Sequence, residues 1–241
     1  KYDLAISKRQ FINTVIAGFL FLAYGNGVFV WALKYVDSGF GALLASTQPL
    51  FVLFLMRALY GQKILPKAII GVFLGILGMI LLVQQQGLNF GENSFKGILM
   101  IFSCVLCWSY ASVFVSKNEF PVNQFVSAGY QMITAGVLLL LASLTLGESW
   151  LAPNQWTVSA QVSMLLLILF GSIVAFTSFN YLLKVVSPEK VATSAYVNPV
   201  IALILGWYVL DEQISVQSMI AALILLTGVY FINRKKRLFI K

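Results

Sequence analysis

Histidine is absent from this 241-residue chain, and charge is scarce: 10% of residues are Asp, Glu, Lys or Arg. Without imidazole, the usual Ser-His and Cys-His relays cannot form, and a transition-metal site loses its commonest nitrogen ligand. The only cysteines, Cys104 and Cys107, lie inside an apolar run. Their C-x-x-C spacing there reads as two small packed residues rather than a redox or metal motif, and it gives no disulfide framework. Every Asp, Glu, Lys and Arg falls in a polar connection or at the end of an apolar run. An embedded carboxylate of the kind that relays protons or sodium is therefore missing. An intramembrane enzyme, which needs a nucleophile with a base or a metal cluster, has no constellation to use. The expectation is no enzyme, no cofactor and no metal.

What is present is apolar: 60% of residues are hydrophobic, with a mean hydropathy of +0.90. The hydrophobic residues come in blocks of about 17–25, enough to cross a hydrocarbon core of ~30 Å as helices. A β-barrel would show short alternating segments instead. The fold class is an all-α polytopic membrane protein, with eight spans expected at 11–33, 39–59, 67–84, 97–116, 124–146, 162–183, 191–210 and 217–233. The formal charge of +8 does not point to nucleic acid, because the cations lie in short connections between these blocks. With both termini cytoplasmic, all 16 Lys and Arg except Lys34 and Lys96 fall inside, as the positive-inside rule requires. The cluster Arg234–Arg237 then anchors the last span on the anionic inner leaflet.

The chain also resembles itself. Displaced by 150 residues, 34–79 lies on 184–229 without a gap, matching Ala42, Ala45, Pro49, Leu53, Ile70 and Gly78 to Ala192, Ala195, Pro199, Leu203, Ile220 and Gly228. The charge dressing differs: Arg57, Lys63 and Lys67 flank the loop of the first copy, whereas Asp211 and Glu212 occupy that of the second. Two copies facing opposite sides of a bilayer would carry such a swap, and inverted repeats are how many secondary transporters build two alternating openings around one site. The domain reading is a first repeat at 1–84, a linker at 85–96 and a second repeat at 97–241. The second repeat then has five spans and the first only three. Two further helices, about 55 residues at the usual span length, are expected upstream.

At ALKYVDSGFGALLASTQPLF (32–51) and LLKVVSPEKVATSAYVNPVIALILGWYVLDE (182–212) the chain resembles the EamA-type drug/metabolite transporters. That resemblance implies ten helices as two inverted five-helix repeats, eight of them here. It also implies movement of a small metabolite, such as an amino acid or related amphipathic solute, across the inner (plasma) membrane by alternating access, with export the expected direction. A multidrug permease of the same fold is the alternative, and a scaffold or sensor a more distant one. Gln62 departs from the pattern, standing where a closing acid is usual; Glu212 keeps that acid in the second copy.

Candidate solute contacts are the polar residues inside apolar runs. Burying an unpaired amide costs roughly 2–7 kcal/mol depending on the reference state, so each faces a partner or water. Asn26, Gln48, Gln131, Asn180, Ser194 and Asn198 qualify, with Trp108, Tyr110 and Tyr181 as aromatic neighbours able to take an amphipathic solute or an ammonium. Helix–helix hydrogen bonding accounts for any one of these residues equally well. Pro49 and Pro199, repeat equivalents, are expected to kink their helices and free the carbonyls of Ala45 and Ala195. Lys34 and Lys184, at helix ends, read as snorkelling or as gating cations. Gly71, Gly75 and Gly78 make a small-residue stripe for close helix packing. The partners expected are the lipid bilayer and a small-molecule substrate; a homodimer is left open.

Overall fold

The computed structural model describes residues 5–84, 94–210 and 214–233. The helices are α1 (Lys8–Ala32), α2 (Ser38–Ala45), α3 (Gln48–Tyr60), α4 (Pro66–Val83), α5 (Ser94–Lys117), α6 (Gln124–Leu146), α7 (Val158–Val185), α8 (Pro188–Val191), α9 (Ser194–Leu210) and α10 (Val216–Asn233). No strand occurs among the described residues. Among the described residues seven helical segments are long and apolar enough to cross a membrane: α1, the α2–α3 pair, α4, α5, α6, α7 and α10. The protein is an all-helical membrane protein. Where an eighth span is expected, α9 has 17 residues.

The displacement of 150 residues extends to the helix boundaries. Lys8 and Val158 begin α1 and α7; Ser38 and Pro188 begin α2 and α8; Pro66 and Val216 begin α4 and α10. Tyr60 and Leu210 end α3 and α9, and Val83 and Asn233 end α4 and α10. The caps match as well. The Ser7 hydroxyl accepts from the Gln10 amide at 3.2 Å, and Thr157, its equivalent, accepts from the Ala160 amide at 3.2 Å. Each satisfies one of the first-turn amides that a helix leaves orphaned.

Both α1 and α7 widen into π-helical turns, at Phe19–Asn26 and Leu167–Phe176, ending at matched positions. Such segments are rare and need tertiary packing to hold them. Phe21 supplies it for the first, meeting the rings of Phe176 and Phe179 edge-on at 5.9 and 5.7 Å. The spans of α1 and α7 differ in cover: the α1 positions Asn13, Thr14, Ala17, Gly18 and Phe21 are buried, whereas their α7 equivalents Ser163, Met164, Leu167, Ile168 and Gly171 are exposed or nearly so.

Contacts group the chain into two units, 1–27 with 114–187 and 28–113 with 188–241, so each draws on both sequence halves. In the first, α1 lies tightly on α6: a Cβ built on Gly18 would stand 2.5 Å from the Gln131 carbonyl oxygen. In the second, α4 and α10 pack along their length. Gly71 meets Gly228 and Ile232, Gly78 meets Ala221 and Leu225, and the Gln217 amide reaches the Leu81 carbonyl at 2.8 Å. Numbers rise along one helix as they fall along the other, so these two repeat-equivalent helices run antiparallel.

Pro49 does not interrupt a continuous helix as expected. Pro49 stands in the first turn of α3, after the helix has already broken at Ser46 and Thr47. The hydroxyls of those two residues donate to the Leu43 and Leu44 carbonyls, each at 2.6 Å. Proline costs little in a first turn, where its missing N–H has no intrahelical partner to lose. Pro199 instead lies within α9, and the break in the second copy comes earlier, at Ala192 and Thr193.

Candidate functional site

Two amides that the sequence marks singly meet in the first unit. The Gln131 side chain on α6 donates to Asn180 Oδ1 on α7 at 2.9 Å and to Ser127 Oγ at 3.2 Å. Asn180 Nδ2 donates to the Phe176 carbonyl at 3.0 Å. That last bond fixes the rest: it turns Asn180 Oδ1 toward Gln131, which must then present its –NH2. Both amides and Ser127 are wholly buried, and Gln131 Oε1 is left without a hydrogen-bond donor. Ser127, four residues before Gln131, shares its helical face; the sequence analysis did not select it, although that spacing could have identified it.

Gln48 is the counterpart in the second unit. Its backbone carbonyl faces the Ser109 hydroxyl at 3.5 Å, and its side-chain Nε2 is buried with no acceptor. The remaining candidates differ in burial. Asn26 and Asn198 are exposed, while Ser194 and Trp108 are half-buried. Tyr110 is 42% exposed and Tyr181 53% exposed. On α7, Thr177 is buried, Lys184 is half-buried and Tyr181 is exposed.

Lys184 has a definite seat. Its ammonium donates to the carbonyls of Val115 and Asn118, both at 2.6 Å, and lies 4.6 Å from the centre of the Phe120 ring. It thus caps the C-terminal end of α5, where orphan carbonyls carry the negative end of the helix dipole. Lys184→Met should lower the melting temperature of the detergent-solubilised protein, by an amount corresponding to about 1 kcal/mol, because the half-buried ammonium is partly solvated in compensation. Lys184→Arg should recover part of the loss; equal melting of wild type and the Met variant would deny the cap. Lys34, the repeat equivalent, is exposed and stacks on Trp31 at 5.2 Å. Lys96 lies 4.8 Å over Tyr35 and donates to its hydroxyl at 3.3 Å, which holds the Tyr35 phenol below its ordinary pKa.

Gln62 is not left idle by the missing acid. Its amide donates to Glu189 Oε1 at 3.0 Å, joining the end of α3 to the start of α8, while Glu189 Oε2 is buried without a partner. Among the described residues no cluster of His, Cys, Asp and Glu could hold a metal ion.

Long apolar helices that bury amides and hydroxyls define a helical membrane protein. The chain belongs to the EamA-like transporter family, which matches residues 2–84 and 95–234. It is 34% identical over 232 residues to the uncharacterized inner membrane transporter YedA of Escherichia coli K12, covering 96% of this chain and 74% of that relative. It is 25% identical over 227 residues to the uncharacterized transporter YoaV of Bacillus subtilis, covering 94% and 77%. A crystal structure at 20% identity superimposes with a TM-score of 0.74, over 95% of this chain and 77% of that one, and shares the fold. The protein is therefore an integral membrane transporter and not an enzyme.

Proposed function

We propose that this transporter moves a small amphipathic metabolite, an amino acid or a close relative, outward across the bacterial inner (plasma) membrane by alternating access between two inverted repeats. The observation that carries the reading is the antiparallel packing of α4 on α10, helices that hold the same positions in the two copies. Equivalent helices running in opposite directions are what copies inserted upside down relative to one another produce. The repeats are 1–84 and 97–241, joined by 85–96, with both termini cytoplasmic. α9 serves as the eighth span.

The solute contacts proposed are the unpaired amide atoms. In the second unit Gln48 Nε2 offers a donor of the kind a carboxylate takes, and in the first unit Gln131 Oε1 offers an acceptor of the kind an ammonium takes. The exposed amides Asn26 and Asn198 lie in apolar spans, where only protein or a wet cavity can satisfy them. Trp108, Tyr110, Tyr181 and Ser194 complete the candidate set.

Proteoliposomes preloaded with a panel of labelled amino acids and aromatic amines test the proposal. At least one should leave faster than from protein-free vesicles, and Gln48→Leu should slow it about tenfold, the loss expected when one hydrogen bond to a charged group is removed. Efflux no faster than from empty vesicles across the whole panel would refute the substrate class.

A further inference from the structure

Glu148 is the only charged side chain between Phe120 and Leu183. It lies just beyond Gly147, whose left-handed backbone (φ 67°) ends α6. Its carboxylate accepts from the Ser143 hydroxyl at 2.5 Å, and Ser143 Oγ in turn accepts from the Trp150 indole N–H at 3.2 Å. The second indole is also tied down, Trp156 Nε1 donating to the Leu151 carbonyl at 3.1 Å. Gln161 holds the same loop from α7, donating to the Pro153 and Trp156 carbonyls at 3.0 and 3.3 Å.

These residues wall a cavity of about 620 Å³ floored by Leu139, Leu140 and Leu151. Both indole N–H groups are occupied, so what the rings have left to offer is their faces. Among the described residues no Lys or Arg pairs with Glu148; the ion pair there is Arg9–Glu119. A carboxylate without a cation, sharing one cavity with two hydrogen-bonded indoles and three leucines, has the chemistry that recognises an organic ammonium. A hard divalent cation is a poor fit, since it needs six or more oxygens and the lining side chains offer one carboxylate and two serine hydroxyls. The apolar surface continues down the exposed Leu139, Leu140 and Leu141 of α6. An ammonium seated here would carry its apolar portion along that surface.

We infer that Glu148, Trp150 and Trp156 form a site for an organic ammonium group at the membrane–water boundary, separate from the amides proposed to contact the transported solute. The group could come from a soluble amine or from an ethanolamine lipid headgroup. The site does not depend on the transport reading, because it is built from one unit alone and needs no conformational change.

Equilibrium dialysis of labelled choline against the full chain in an uncharged detergent tests the inference, with 3,3-dimethyl-1-butanol as a neutral competitor of the same shape. Wild type should bind choline saturably and the neutral isostere should compete poorly. Glu148→Gln should weaken binding at least about fivefold and Trp156→Phe less, in keeping with a charge-assisted contact backed by cation–π attraction. Native mass spectrometry separates the sources: retention of phosphatidylethanolamine over phosphatidylglycerol, lost in Glu148→Gln, assigns the site to lipid. Choline binding without that preference assigns it to a soluble amine. Competition by the isostere as strong as by choline, no saturable choline binding, or unchanged affinity in Glu148→Gln would each overturn the site. The isostere comparison uses wild type only, so it stands even if a variant misfolds.

Discussion

Gly71→Val should leave no properly folded protein in detergent. A Cβ at this position would lie 2.6 Å from the Gly228 carbonyl oxygen and 3.0 Å from the Ile232 amide nitrogen. Both are backbone atoms of α10, so no rotamer change relieves the clash and the two helices must separate along a seam that also carries Gly75 against the Tyr196 ring. Overpacking typically costs 1–3 kcal/mol where side chains can move, and about 3 kcal/mol or more is expected where they cannot. The valine variant should elute as aggregate on size exclusion, with its melting transition lost. Gly129→Ala is the control, since a Cβ there has no atom within 4 Å. It should be neutral or slightly stabilising, because alanine is the better helix former by about 1 kcal/mol. A valine variant melting within a few degrees of wild type would mean that α4 and α10 do not pack as closely as the structure has them.

The Gln131–Asn180 pair should show strong coupling in a double-mutant cycle. Gln131→Leu strips Asn180 Oδ1 of its donor, and Asn180→Leu strips Gln131 of its acceptor. Leaving one buried partner unsatisfied costs about 1–3 kcal/mol in soluble proteins. Interhelical bonds in a membrane average only about 0.6 kcal/mol, with a maximum near 1.7, because the separated helices also find partners. Both amides here are wholly buried, so each single change should sit near that upper figure. The double change should cost clearly less than the two singles together, since it removes both polar groups at once. Flux then separates glue from site. If Gln131 Oε1 faces the solute, the double variant should be stable and transport-dead. Normal efflux from a stable double variant would reduce the pair to a helix fastener.

Much of this architecture was legible in the residues because the membrane makes hydrophobic length informative. Lys34-to-Met79 on Lys184-to-Val229 already carried the displacement that sets the helix starts at Ser38 and Pro188 and at Pro66 and Val216. The glycine stripe at 71, 75 and 78 was readable as a contact surface because only a close backbone neighbour makes use of a missing Cβ. What it touched was not readable, since the identity of the facing helix is a tertiary fact. The π turns of α1 and α7 left no trace in composition: FLFLAYGN and LILFGSIVAF read as ordinary apolar helix, and the widening depends on packing such as Phe21 against Phe176. Pro49 misled in a physical way. A proline in an apolar run reads as a kink when the helix is assumed continuous, yet Ser46 and Thr47 had the hydroxyls to end one helix and let the next begin. For the candidate site, the amides were found by their rarity. Only the structure distinguished the paired Asn180 from the exposed Asn26, because both are single polar residues in apolar surroundings.

The seam between α4 and α10 has the logic of a dyad written into one polypeptide. Gly71 meets Gly228, and exchanging each for its counterpart in the other copy gives Ala221 meeting Gly78, which is the second close approach observed. An interface of that kind is self-complementary, as between two identical subunits. Its two ends are therefore images of one another that differ in bulk. At one end both positions are glycine; at the other Ala221 carries a methyl group, and the residue across from it, Gly78, carries none.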